Sequence, residues 1–438
     1  MKKWLGLTFY NSLLLIFASV DLVKWLVAVS KTKRANTDDN EIKRDIHWGQ
    51  KFGLQHHGVP PKKPNGKRYL VHCASMGEVI SAMPLLTQLL EKHSDLSIVV
   101  TTNTLTGKQQ TLKMIEQSGL SNRMFHTYLP IDLPWLVKAL LKKVQVDKLI
   151  IMEVELWPNL ILSAKSLNLP VAIINGRMTD SSLKGYQRFN WIAQPMLSAL
   201  DQVFVRNSKD RENYTALGIK EPALELAGNI KFDITLPATE LADFWREKLN
   251  IKDRLVIVAG STHDTEETSL LQCYQELVKT HRNLLLIIAP RHPHRFAAVC
   301  ELVEQSGLTF INSSKGNKAN AQTQIVVLDQ MGVLSEVYSA ADVVFIGGSI
   351  AKKGGHNPIE ASAFAKPVLM GEHIYNNPEI INTIAKGGGL LKVQDQQQLQ
   401  RELSNLLDDV QLRQQVGEKG LATIKQNAGV IARLTEQL

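Results

Sequence analysis

Residues 354–371 read GGHNPIEASAFAKPVLMG. Two glycines, a histidine, an asparagine and a glutamate stand just ahead of an apolar stretch, and Asn357 and Glu360 are spaced one helical turn apart. A turn that opens a helix in this way can present backbone N–H groups and a carboxylate to one ligand. Other chemistry-bearing clusters each follow a short apolar, β-prone run. YLVHC leads into ASMGEV, which places Gly77 and Glu78 at a strand-to-helix turn, and KLIIM leads into EVELWPN with Glu153 and Glu155. PVAII is followed by NGRMTDSSLKGY, RLVIVAG by STHDTEE, and LLLIIAP by RHPHRF. Taken singly, each cluster has a structural alternative. Glu78 suits the positive end of a helix dipole, Glu153 and Glu155 suit solvated loop positions, and STHDTEE reads as a helix cap with acids in its first turn. His292-Pro293-His294 has the spacing of a metal pair, but the proline restricts it and no Cys or Asp cluster accompanies it.

The elements that must position these residues alternate. The runs at 69–73, 96–102, 148–152 and 170–174 are separated by stretches of helical length, and a second series runs through 254–260, 284–290, 324–328, 342–348 and 367–371. Such alternation predicts parallel sheets covered by helices, hence two doubly wound α/β domains. In open sheets of this kind ligands lie outside the carboxyl ends of the strands, where the clusters fall. The expected boundaries are an N-terminal segment 1–34, a first domain 35–232, a linker 233–253 and a second domain 254–438 that includes the C-terminal helices. The chain of 438 residues is long enough for two such cores.

Composition narrows the partners. The formal charge of +8 suits an anionic substrate or an acidic membrane surface, and no basic run with interleaved aromatics favours nucleic acid. Three widely separated cysteines argue against a disulfide framework and for a reducing compartment. Trp4 to Val20 carries no charge and WLVAV follows after Lys24, so the N-terminus is expected to be an uncleaved membrane anchor, crossing the bilayer or lying in its interface. No G-x-x-x-x-G-K-[ST] is present, no glycine fingerprint follows the first strand, and G-x-S-x-G is absent. Those absences disfavour P-loop phosphoryl transfer, hydride transfer and a serine-elbow hydrolase, leaving glycosyltransferases that use a nucleotide sugar in view.

SMGEVISAMPLL, MEVELWPNL, NGRMTDSSLKGY, GNIKFD, AGSTHDTEE, APRHPHRF, MGVLSEVYSAADVVFIGGS and GGHNPIEASAFAKPVLMGEH, in this order, resemble the signature blocks of the Kdo (3-deoxy-D-manno-octulosonic acid) transferases of lipid A biosynthesis. The resemblance spans almost the whole chain. It implies a GT-B fold of two Rossmann-like domains facing across a cleft, an N-terminal membrane-anchor helix, and an acceptor-binding first and CMP-Kdo-binding second domain. It also implies inverting transfer of Kdo from CMP-Kdo to lipid IVA at the cytoplasmic face of the inner membrane, without a metal or cofactor. By this resemblance Glu78 is the general base, and Glu153 and Lys231 stabilise the transition state. Pro290, Arg291, Met331, Gly332, Val333, Asn357, Pro358, Ile359 and Glu360 contact CMP. Three departures stand out: Val333 and Gln50, where the family usually has acids, and GEHIYNNPEI at 371–380. Another GT-B transferase using a UDP-sugar, or a silent anchored binding protein, are the competing readings.

Overall fold

The computed structural model describes residues 6–20, 52, 58–236, 238 and 240–438. They divide into two compact units, residues 1–231 with 429–438, and residues 232–428. The final helix, Val430–Gln437, thus belongs with the first unit, although the sequence alone groups it with the second. Val430, Ile431 and Leu434 supply the reason, since they are buried in the first unit's core. The expected linker is likewise structured in part. Leu241–Lys248 is a helix, and Trp245 is buried in the second unit's core beside Phe232 and Ile251.

The first unit holds strands β1 (Lys67–His72), β2 (Leu96–Thr102), β3 (Met124–Tyr128), β4 (Lys148–Met152), β5 (Val171–Gly176), β6 (Gln202–Val205) and β7 (Leu224–Leu226). They form one parallel sheet in the order β3-β2-β1-β4-β5-β6-β7. The second unit holds β8 (Leu255–Thr262), β9 (Leu284–Pro290), β10 (Phe310–Asn312), β11 (Ile325–Val327), β12 (Val343–Ile346), β13 (Val368–Gly371) and β14 (Leu390–Val393). Its order is β10-β11-β9-β8-β12-β13-β14, again parallel. Both sheets are buried on both faces, which is why their strands are apolar runs without a polar alternation. In β4, Leu149 and Ile151 enter one core and Ile150 and Met152 the other. In β9, Leu285 and Ile287 face away from Leu284, Leu286 and Ile288 in the same manner.

Each sheet reverses direction once beside its first strand. In the first unit the chain moves outward from β1 to β3 and then crosses back to β4; in the second it crosses from β11 to β12 on the far side of β8. At such a reversal the loops leaving the two central strands diverge and open a crevice, the expected ligand position of a doubly wound sheet.

The expected membrane anchor is described only in part. Residues 6–20 form a helix, and among the described residues no helix is long and apolar enough to cross a membrane. One side of this helix is tied to the first unit: Tyr10 Oη donates to Asp132 Oδ2 at 2.9 Å, and Asn159 Nδ2 donates to Asn11 Oδ1 at 2.8 Å. Phe9, Leu13, Ile16, Phe17 and Val20 remain exposed on it. Residues 21–34, the rest of the expected anchor, lie outside the described residues, as does Gln50.

Candidate active site

The first crevice gathers three of the residues singled out from the sequence. Glu78 lies on the first turn of helix Met76–Lys92, directly after β1. Ser75 is the N-cap and Glu78 the third helical residue, and the two bond reciprocally in a variant of the capping box: Ser75 Oγ accepts the Glu78 N–H at 3.4 Å and donates to Glu78 Oε1 at 2.8 Å, while Oε2 accepts the N–H of Ala74, one residue before the cap, at 2.9 Å. The structural alternative is therefore true as far as it goes, and the box also fixes the carboxylate at the crevice rim. Each oxygen keeps a second lone pair for a further proton. Burial pushes the Glu78 carboxyl up to about 7; the Ser75 and Ala74 bonds oppose this, and the nearby Glu153 and Glu155 charges add to it. A carboxyl near neutrality is matched to proton transfer at physiological pH.

Glu153 follows β4 with a left-handed backbone, φ 53°, a conformation that costs energy for a side chain with a Cβ and that recurs at functional sites. Its N–H donates to Ile174 O at 3.0 Å, continuing the sheet into the loop. Lys231 Nζ lies 3.3 Å from Glu153 Oε1, with both side chains largely buried. The lysine sits on the short turn Ile230–Phe232, whose Ile230 N–H donates to Asn175 Oδ1 at 3.2 Å at the end of β5. Three strand ends thus converge on one carboxylate pair and one ammonium. Glu155, treated in the sequence as a possible loop charge, accepts from Trp157 Nε1 at 3.0 Å, and burial raises its carboxyl. Beside it opens a cavity of about 520 Å³ walled by Tyr10, Leu156, Trp157, Tyr186, Phe189 and Met196.

In the second unit, Pro290 ends β9 and the Arg291 N–H donates to Thr262 O at 3.0 Å, so Arg291 is held against the end of β8. Met331 is exposed, Gly332 has φ 84°, and Val333 caps the short helix Leu334–Val337. The Val333 side chain packs toward the core, so the departure from an acid there leaves only its backbone to serve a ligand. The turn at 354–360 differs from the sequence expectation. The helix begins at Ile359, with Pro358 as cap, and Asn357 stands outside it, its Oδ1 accepting the Ile359 N–H at 3.2 Å. Asn357 and Glu360 are therefore not a pair on one helix face. Glu360 opens to solvent, and among the described residues no protein group hydrogen-bonds its carboxylate, which partial burial raises.

What holds this turn was not legible in the sequence. Gly354 and Gly355 take φ of 90° and 68°, and a Cβ on Gly354 would collide with Tyr375 and Asn376. Tyr375 Oη and Asn376 Nδ2 donate to Lys352 O and Lys353 O at 2.8 Å each, so the unusual 371–380 segment clamps the loop. From the other side, the buried Glu266 carboxylate accepts the backbone N–H groups of His263, Gly348, Ser349, Ile350 and Ala351 at 2.8 to 3.1 Å. It fills an amide nest with an internal anion and ties the end of β8 to the loop after β12. Across the same crevice His263 Nε2 and His356 Nε2 lie 2.9 Å apart. His292 and His294 stack at 5.3 Å, and among the described residues no group of three or more His, Cys, Asp or Glu is set to hold a metal ion.

Two parallel doubly wound units with ligand crevices beside their first strands are the architecture of the GT-B fold. Solved structures support the fold: a glycosyltransferase from Rickettsia africae superimposes with a TM-score of 0.58 at 16% identity, covering 85% of this chain and 97% of its own. A UDP-GlcNAc 2-epimerase from Neisseria meningitidis does so at 0.57 and 13%, covering 84% and 99%. Residues 46–234 match the family described as 3-deoxy-D-manno-octulosonic-acid transferase, and residues 242–423 match glycosyl transferases group 1. The chain is 33% identical to the 3-deoxy-D-manno-octulosonic acid transferase of Haemophilus influenzae over 98% of its own length and 97% of the relative's. A Bordetella pertussis protein of the same name is 29% identical over 84% and 86%. The chain belongs to the 3-deoxy-D-manno-octulosonic-acid transferase family.

Proposed function

We propose that this glycosyltransferase moves Kdo from CMP-Kdo to the lipid A precursor lipid IVA, with inversion at the anomeric carbon. The observation that carries the reading is the meeting of Glu78, Glu153 and Lys231 at the β1/β4 reversal, with the Glu78 carboxyl raised to about 7. The acceptor hydroxyl is a very weak acid, so its proton must pass to a base as the new C–O bond forms; Glu78 receives it. The anomeric carbon gains positive charge as its bond to the phosphate oxygen breaks, and the Glu153 carboxylate stabilises that charge while Lys231 holds the carboxylate in place. The electron pair leaves with CMP, whose phosphate is met by Arg291 and whose nucleoside is met by the turns at 331–333 and 357–360.

The acceptor's apolar portion finds a complementary surface in the cavity beside Glu155, two residues from the reacting carboxylate. The exposed apolar side of helix 6–20 suits the interface of a bilayer, consistent with work on a lipid at the cytoplasmic face of an inner membrane. Incubation of the full chain with CMP-Kdo and lipid IVA, followed by mass spectrometry of the lipid, tests the reading. Addition of Kdo is expected, undiminished in excess chelator and absent with UDP-sugars. Transfer only from a UDP-sugar, or only with an added divalent ion, would overturn the donor or the metal-free mechanism respectively.

A further inference from the structure

The second crevice carries a feature that the transfer mechanism leaves unused. His263 follows β8, His356 ends the loop after β12, and these are the two strands that flank the reversal of the second sheet. Their rings are parallel within 7° at 5.2 Å between centroids, joined Nε2 to Nε2 at 2.9 Å, and both pack on Gly348, where a Cβ would lie 3.1 Å from His356 and 3.5 Å from His263. The charges facing them are positive. Arg291 and His292 follow β9, Arg295 lies on the turn beyond, and Lys353 stands on the loop itself. The acids nearby are already engaged: Glu266 by its backbone amides, and Glu267 and Asp264 by Arg295. Arg295 Nε is buried with no hydrogen-bond partner among the described residues. Burial and these cations hold His356 down to about 4 and lower His263 as well, so the free pair is neutral near pH 7.

A neutral pair of this geometry has one Nε2–H pointing at one bare Nε2. It accepts one proton, on the Nδ1 of the ring that donates the shared hydrogen, and both Nδ1 atoms then carry hydrogens. A second proton would set two N–H groups head to head. The arrangement is thus a receptor of single capacity whose charging is opposed by its surroundings until an anion arrives. We propose that the His263–His356 pair recognises the phosphate of the nucleotide and takes up one proton from solvent as it does so, coupling donor-site occupancy to protonation. The inference rests on the nucleotide-donor reading given above. Its sign is fixed by linkage: the bound state holds the extra proton, so affinity strengthens as pH falls and is lost as pH rises through the bound pair's pKa.

Calorimetric titration of CMP into the full chain at about pH 7.5, in two buffers of different ionisation enthalpy, counts the protons exchanged. Cytidine, which lacks the phosphate, is the control. Uptake of close to one proton per CMP is expected, with none for cytidine, and a CMP affinity that falls up to roughly tenfold per pH unit. His263→Gln and His356→Gln are each expected to abolish the uptake and flatten the pH dependence. CMP binding without proton uptake in the wild type overturns the proposal and leaves the nucleotide reading standing, whether or not the variants fold. Uptake that persists in both variants also overturns it. Failure of both CMP and cytidine to bind overturns the proposal together with the nucleotide reading.

Discussion

The two crevices are built alike and charged oppositely. Each lies beside the first strand of a parallel sheet at its reversal, β1/β4 in the first unit and β8/β12 in the second. In each, a glutamate in the first turn of the helix after that strand accepts backbone amides, Glu78 in one and Glu266 in the other. Glu78 accepts a single backbone N–H and a serine hydroxyl and is largely buried beside other acids, so its carboxyl is raised, chiefly by burial. Glu266 accepts five backbone N–H groups, has no exposed surface and serves as mortar between two loops. The same residue type at the same topological place is reactive or structural according to how many donors saturate it. Around Glu266 the unspent charge is cationic, from Arg291 and Lys353, which suits an anion; around Glu78 the neighbouring acids Glu153 and Glu155 suit proton abstraction.

The largest expected break of this comparison is Glu78→Gln. Glutamine keeps one oxygen to accept the Ala74 N–H and lacks the carboxylate proposed as the base, so turnover is expected to fall by about 10²- to 10⁴-fold with CMP binding unchanged. Stability moves the other way. A carboxyl raised from 4.5 to about 7 holds its proton in the folded state over a range where the unfolded chain has released it. Folding stability therefore falls as pH rises through that window, and the variant, which has no proton to lose, is expected to melt higher than wild type above pH 7, by roughly 2–4 °C. Rate measurements and melting curves at several pH values check both; a variant with near-normal turnover would leave Glu78 with its capping role alone.

A smaller break lies in the second unit. Glu360→Ala is expected to weaken CMP binding about ten- to a hundredfold, the worth of a charge-assisted hydrogen bond of roughly 1.5–3 kcal/mol, with acceptor binding unchanged. Its carboxylate has no protein partner among the described residues, so a purely structural role predicts the reverse: a lower melting temperature and unaltered CMP affinity in calorimetry.

The sequence exposes these sites unevenly, for physical reasons. The long strands were legible because burial on both faces makes them uninterrupted apolar runs. β3, with the sequence MFHTY, the four-residue β6 and β14, and the three-residue edge strands β7 and β10 were not, since polar residues or brevity hide their pairing. Glu78, Glu153 and Lys231 could be proposed one by one from motifs after strand ends. Their convergence needs the crossover from β3 to β4 and the return of the chain after β7, which no local pattern encodes. Glu266 read as an acid favoured by a helix dipole because the amides it serves lie far along the chain. His263 and His356 went unpaired for the same reason, although each follows a strand that could be recognised. The Asn357–Glu360 spacing misled in the other direction: a helical interval counts only once the helix has begun, and here it begins at Ile359.

The smallest expected effect sharpens the contrast most. Glu155 raises the Glu78 carboxyl through like charge, the weakest of the influences on it, behind burial and Glu153. Glu155→Gln preserves the bond from Trp157 Nε1, because the amide oxygen accepts it, and removes only the charge. Losing a neighbouring negative charge makes the Glu78 carboxylate easier to form, so the acid limb of the pH–rate profile is expected to move a little toward lower pH, with the plateau rate nearly unchanged. The opposite displacement, toward higher pH, would mean that Glu155 acts on Glu78 through geometry instead of charge. No displacement at all, in a variant with wild-type melting, would leave burial and Glu153 as the sole source of the raised carboxyl and remove Glu155 from the electrostatics of the first crevice. The CMP affinity of the same variant serves as the internal reference. It is expected to match wild type at every pH, since the second crevice draws its charge from residues after β9 and β12, and only a change confined to the rate profile attributes the tuning of Glu78 to the acids after β4.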